Sequence, residues 1–160
     1  MLDLSVRCND PEQACAELMQ PLGAFLERVR PSGVPIIFTA SFSARGTPMG
    51  EVATALKHRP EEPLIFPDAF DKFVGGELHD FLSGHNVRNL IVVGSSTNNA
   101  VMYTASAAAR VHKYNVIIPL DGVNTRNAYE HEYGIHQLTV LPRGSATPVK
   151  FTRLSMIEFG

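Results

Sequence analysis

The stretch Asn89-Leu90-Ile91-Val92-Val93-Gly94-Ser95-Ser96-Thr97-Asn98-Asn99-Ala100-Val101 decides the fold. Its first half is continuously apolar and β-branched rather than alternating, the pattern of a strand covered on both faces. Its second half leaves that strand through a glycine and small polar residues. It then enters an alanine-rich segment, Asn98 to His112, which reads as a helix. Two further apolar runs repeat the strand pattern, Val34-Pro35-Ile36-Ile37-Phe38-Thr39-Ala40 and Asn115-Val116-Ile117-Ile118-Pro119-Leu120. Helical segments lie between them: Pro11 to Val29 is amphipathic, and Gly76 to Ser83 carries Leu78, Phe81 and Leu82. Strand and helix in alternation predict an α/β fold with a doubly wound parallel sheet, right-handed crossovers and helices on both faces.

Working outward, Asn127 to Gln137 is a further helix candidate and Val149-Lys150-Phe151-Thr152-Arg153-Leu154 a last strand. Met1-Leu2-Asp3-Leu4-Ser5 reads as the end of an abbreviated first strand, because the helix that follows needs a strand before it. The Pro- and Gly-containing stretches at 31–35, 44–50 and 59–67 are short enough for ordinary loops. With no repeat or linker between them, residues 1–160 form a single expected domain, as suits a core of this size.

Composition narrows the function. The chain has 14 basic and 16 acidic residues, a formal charge of -2, scattered without a basic stripe, which argues against nucleic acid and against an anionic membrane surface as partners. No run approaches the roughly 18 apolar residues that cross a bilayer. A small-molecule ligand is the expected partner. Cys8 and Cys15 are too few for a disulfide framework and match no metal spacing, so both are expected to be reduced, as in a cytoplasm.

In open parallel sheets, ligands sit beyond the carboxyl ends of the strands, near the point where strand order reverses. That rule gathers Asp3, the Ser41-Phe42-Ser43 turn, the Gly94 to Asn99 turn and the Asp121-Gly122 turn around one crevice. A strand-to-helix turn aims backbone N–H groups and the positive end of a helix dipole into such a space, where they can hold a carboxylate or a developing oxyanion. Ser95, Ser96 and Thr97 on the turn, with Ser41 and Phe42, are the candidate substrate-binding residues.

Residues Gly94-Ser95-Ser96-Thr97-Asn98-Asn99-Ala100-Val101, with Thr104-Ala105 and Ala108 beyond, resemble the isochorismatase-like hydrolase family, whose fingerprint is Gly-x-x-Thr-x-x-Cys-Val followed by Thr-Ala and a small residue. Leu2-Asp3, Phe38-Thr39, Phe73 to Leu78 and Asp121 extend the resemblance over most of the chain. It implies a three-layer fold, a mainly parallel sheet of about six strands in the order 3-2-1-4-5-6, and a homo-oligomer. It also implies a non-proline cis peptide at Ser95-Ser96, with an oxyanion pocket from the N–H groups of Ser96 and Ala100.

In the cysteine-hydrolase branches of that family an Asp, a Lys and a Cys cooperate: the carboxylate takes the thiol proton and the thiolate attacks a carbonyl. The Asp maps to Asp3, but the Cys position is Ala100, whose methyl group cannot attack anything. The usual lysine position holds Pro67, and Lys72 is the nearest cation. Metal-binding members place Asp and His where this chain has Ser41 and Ser43, so neither a catalytic metal nor another cofactor is expected. Isochorismatases themselves lack the cysteine, and Asp3 with Lys72 can imitate their proton handling if Asp3 is protonated. Cys8 is a candidate substitute nucleophile, set against its reading as a small buried hydrophobe.

Plainer readings accompany each residue. Asp3 can cap a loop, Lys72 can belong to a solvated Asp-Lys surface, and Ser95 to Thr97 can simply build a tight turn. His131, Glu132 and His136 have the wrong spacing for a zinc motif and read as helix surface. Arg45, His58 and Arg59 read as solvated loop. The functional reading is a hydrolase-like protein without the cysteine nucleophile, acting on a small molecule such as a vinyl ether or an amide-like compound. The alternative is an inactive small-molecule-binding or assembly module on the same fold.

Overall fold

The computed structural model describes residues 1–141 and 149–159. Among the described residues there are seven short strands: β1 Phe38–Thr39, β2 Leu64–Ile65, β3 Asn89–Ile91, β4 Gly94–Ser95, β5 Asn115–Pro119, β6 Val123–Asn124 and β7 Val149–Thr152. Four α-helices accompany them: α1 Met19–Val29, α2 Glu77–Gly84, α3 Met102–Arg110 and α4 Ala128–Thr139. Every strand pairing is parallel: β1 with β2, β3 with β5, β4 with β6, and β5 with β7. Leu2 joins the two halves. It bridges to Thr39 on one side and to Gly94 on the other, its N–H donating to the Val93 carbonyl at 2.8 Å. The expected first strand is therefore reduced to bridges at Leu2, which lie between β1 and β4.

Successive residues of a strand face opposite sides of a sheet, and the core divides accordingly. Val92 packs with Leu78 and Leu82 of α2, Val101 and Ala105 before and on α3, and Leu138 of α4. Val93 packs with Leu22, Phe25, Leu26 and Val29 of α1. Three helices thus cover one face and α1 the other, which is the three-layer arrangement expected from continuously apolar strands. Ala105, Ala108 and Ala109 on α3 are fully buried, so small side chains bring this helix close to the sheet.

Three expectations require correction. The 59–67 stretch is not only loop, since Leu64–Ile65 pairs with Phe38–Thr39; two residues between Pro63 and Pro67 carry too little pattern to be read as a strand. The first α-helix begins at Met19 rather than near Pro11, behind a tighter turn at Ala14–Leu18. The third correction concerns the cysteines, which are not reduced. Cys8 and Cys15 form a disulfide with Cα atoms 5.2 Å apart, closing the loop that displaces the helix start. Cys8 therefore carries no thiol and cannot be a substitute nucleophile. Among the described residues, no helix is long and apolar enough to cross a membrane.

Candidate active site

The turn after β4 is fixed by its backbone. Gly94 has φ +137°, and a Cβ there would collide with the Leu2 carbonyl oxygen, so only glycine lets the central strands approach this closely. The Ser95-Ser96 peptide is cis. Ser96 then offers its carbonyl to the N–H groups of Asn99 (3.1 Å) and Val101 (3.2 Å), starting one wide helical turn, Thr97–Val101, that leads into α3. Helix α4 braces the turn from behind. The Thr97 hydroxyl meets His131 Nδ1 at 3.0 Å, Thr125 donates to Asn98 Oδ1 at 3.0 Å, and Gly134 lies against the Thr97 backbone. His131 is consequently not free helix surface, and Thr97, with no exposure, stands behind the crevice wall rather than on it.

Asp3 directly follows the Leu2 bridges, in the left-handed region at φ +53°. Asp adopts that region more readily than most residues, yet a non-glycine residue there is uncommon and such positions cluster at functional sites. Its Oδ1 accepts from Lys72 Nζ at 3.0 Å and from the Thr39 hydroxyl at 3.3 Å. Lys72 is only 2% exposed, which overturns its reading as part of a solvated surface. Its position comes from α3: the Lys72 N–H donates to Thr104 Oγ1 at 3.1 Å, and the same hydroxyl donates to the Phe70 carbonyl at 3.2 Å. A buried ammonium requires a compensating partner, and Asp3 is the one in contact.

These groups border a crevice of about 540 Å3. Asp3, Lys72, Ser95, Ser96 and Ala100 line it, with Ser41 and Phe42 across from them. Ser41 and Ser43 hold each other at 3.0 Å between hydroxyl oxygens. A side lobe of about 270 Å3 shares Arg7, Ser95 and Ser96 with the crevice. Asp121 lines neither space; its Oδ1 accepts from the Leu154 N–H at 2.8 Å, securing the chain after β7. Nor do Arg45, His58 or Arg59, of which His58 Nε2 meets the Glu62 carbonyl at 2.7 Å and Arg59 pairs with Glu61.

Several residues of the site escaped the sequence reading. Thr39 and Thr104 are legible only as parts of a fingerprint, and nothing in the sequence says that one touches Asp3 and the other positions Lys72. Arg7 and Arg126 come together from opposite ends of the chain, and Met49 and Phe70 border the crevice from loops. Local patterning carries no signal for such contacts.

The crevice at the carboxyl ends of a parallel sheet, with an acid–lysine pair beside a strand-to-helix turn, marks an α/β domain whose candidate site lies at that turn. An isochorismatase domain model matches residues 4–148, and the chain belongs to that family. Solved structures agree on the fold. An isochorismatase-like hydrolase from Alkaliphilus metalliredigens superposes with a TM-score of 0.82 at 17% identity, covering 97% of this chain and 92% of that one. The N-carbamoylsarcosine amidase of Thermoplasma acidophilum gives 0.78 at 19% identity, covering 98% and 95%. The nicotinamidase of Staphylococcus aureus gives 0.76 at 18% identity, covering 94% of each chain. No curated protein matches the sequence.

Proposed function

We propose that this chain is a hydrolase of the isochorismatase family that works without a cysteine nucleophile, adding water to a small molecule by proton transfer through Asp3 and Lys72. The observation that carries this reading is the 3.0 Å contact between Lys72 Nζ and Asp3 Oδ1, with the lysine buried, at the edge of a crevice that also touches Ala100. At the position where family resemblance puts a thiol, Ala100 offers a methyl group. Covalent catalysis is thereby removed, but acid–base chemistry is not.

The reaction needs one proton from the acid–lysine pair. For a vinyl ether, that proton goes to the terminal alkene carbon. Water adds to the resulting oxocarbenium carbon and loses a proton back to the pair. The hemiketal then collapses to a ketone and an alcohol, and the acid–lysine pair ends as it began. Ser95 and Ser96, on the turn, border the same crevice and are assigned to substrate binding.

The test is a turnover screen of vinyl ethers, amides and carbamoyl compounds. Asp3→Asn is expected to remove turnover of any substrate found, by a factor of at least about 100, in the range of lost general acid–base catalysis, while binding persists. A ligand that raises the melting temperature but is never turned over would favour the inactive binding module instead.

A further inference from the structure

The side lobe of the crevice has a charge pattern that acid–base hydrolysis does not explain. Arg7, Gln13, Ala14, Cys15, Ser95 and Ser96 line it together with Arg126. Two arginines and two serines therefore border a space of about 270 Å3 with no carboxylate among its lining residues. In the main crevice, by contrast, the Lys72 charge is already met by Asp3. Neither Arg7 nor Arg126 forms an ion pair among the described residues, although Arg30, Lys57 and Arg59 all do.

The walls of the lobe are built rather than loose. The segment carrying Gln13, Ala14 and Cys15 is tied to Cys8 by the disulfide and to the sheet by the Asn124 side-chain amide, which donates to the Ala14 carbonyl. The opposite wall is the cis turn itself, where Ser95 is 3% exposed. Arg7, Ser95 and Ser96 line both the lobe and the crevice, so the two spaces adjoin at these residues. Beyond the pair, Phe42, Met49 and Phe70 present exposed apolar surface along the crevice.

From this arrangement we infer that Arg7 and Arg126 form an anion subsite, which takes the carboxylate of a small organic acid whose apolar body lies in the main crevice. Planar guanidinium forks match the geometry of a carboxylate and lose little hydration in binding one. The inference rests on the proposed hydrolase site, because it names the substrate class of that site.

Benzoate and its neutral analogue benzamide are suitable probes, since they share an apolar ring and differ in charge. Affinities measured by NMR titration at low ionic strength are expected to favour benzoate by at least about tenfold. Arg7→Gln and Arg126→Gln should each weaken benzoate about tenfold and leave benzamide unchanged. Arg45→Gln, an arginine outside both spaces, should change neither. Equal binding of the two probes, an unchanged benzoate affinity in both variants, or inorganic phosphate binding more tightly than benzoate would each overturn the assignment. Both arginines are exposed, and unchanged melting temperatures would show that the variants fold. Benzoate binding requires no turnover and should survive Asp3→Asn, so a failed subsite and a failed hydrolase reading give different results.

Discussion

Ala100 is the residue at which family resemblance and chemistry diverge, and its surroundings make a direct experiment available. Its methyl group is 1% exposed and lines the crevice shared with Lys72 and Asp3. A thiol introduced there by Ala100→Cys would share the crevice with the Lys72 ammonium, which favours the thiolate and whose effect outweighs the opposing Asp3 charge that it neutralises. Because Cys8 and Cys15 are joined and no other cysteine exists, the background to such a measurement is clean. Iodoacetamide should label the variant with a half-maximal rate at least one unit below the pH of about 8.5 typical of a free thiol. An ordinary or raised midpoint would show that the turn does not activate a nucleophile at this position. Asp3 and the Ser95-Ser96 turn were legible because each lies inside a local sequence pattern. The burial of Lys72 was not, because it depends on Thr104, which is 32 positions away in sequence.

Among the elements, α4 has a function beyond covering the sheet. Asn127 caps it, accepting from the Glu130 N–H at 2.9 Å, and the helix then lies directly on the Thr97 turn. A Cβ on Gly134 would stand 2.9 Å from the Thr97 carbonyl oxygen and 3.0 Å from the Asn98 nitrogen, both backbone atoms. In a free helix Gly→Ala stabilises by about 1 kcal/mol. Here the forced backbone shift costs about 1–3 kcal/mol, so Gly134→Ala should lower the melting temperature by a few degrees despite its better propensity. A rise would mean that α4 is not packed this tightly. The loop before α1 supplies another test. Joining residues seven apart removes chain entropy worth about 2.5 kcal/mol from the unfolded state, and dithiothreitol should shift the urea midpoint accordingly. These elements also mark the limit of the sequence reading. The strands over 89–91 and 115–119 were visible as continuous β-branched runs, whereas Leu64–Ile65 is short and flanked by prolines. The helix start near Pro11 was displaced by a cross-link that cysteine count alone does not reveal.

For the whole molecule, acid stability should decline in two stages, one from each face of the sheet. His112 stacks on Phe73 at 4.1 Å and lies 5.0 Å from His79. Burial, reinforced by the His79 charge and only partly offset by Asp71, lowers its pKa below the ordinary 6.5. A histidine depressed in the folded state is protonated first in the unfolded chain. Its contribution is therefore complete above about pH 6.5 and is lost as pH falls from there through the lower folded value. Glu62 follows at lower pH. Burial raises its pKa, but hydrogen bonds from Arg30 at 2.7 and 3.0 Å and from the Arg59 N–H outweigh that and hold it below 4.5. That stability is present above pH 4.5 and disappears as the carboxylate is protonated in the folded state. Arg30 and Glu62 are each 5% exposed in their side chains, so protonation would leave the guanidinium buried without its charge partner. Melting temperature plotted against pH should consequently fall first below about 6.5 and again, more steeply, below about 4.5. His112→Phe keeps the stack and removes that titration, so it should shrink the upper step, to which the buried Met1 amine, pushed down to about 5, also contributes, and leave the lower one. If the upper step persists unchanged in that variant, the loss between pH 6.5 and 4.5 comes from another group, and His112 is not charged on unfolding in that range.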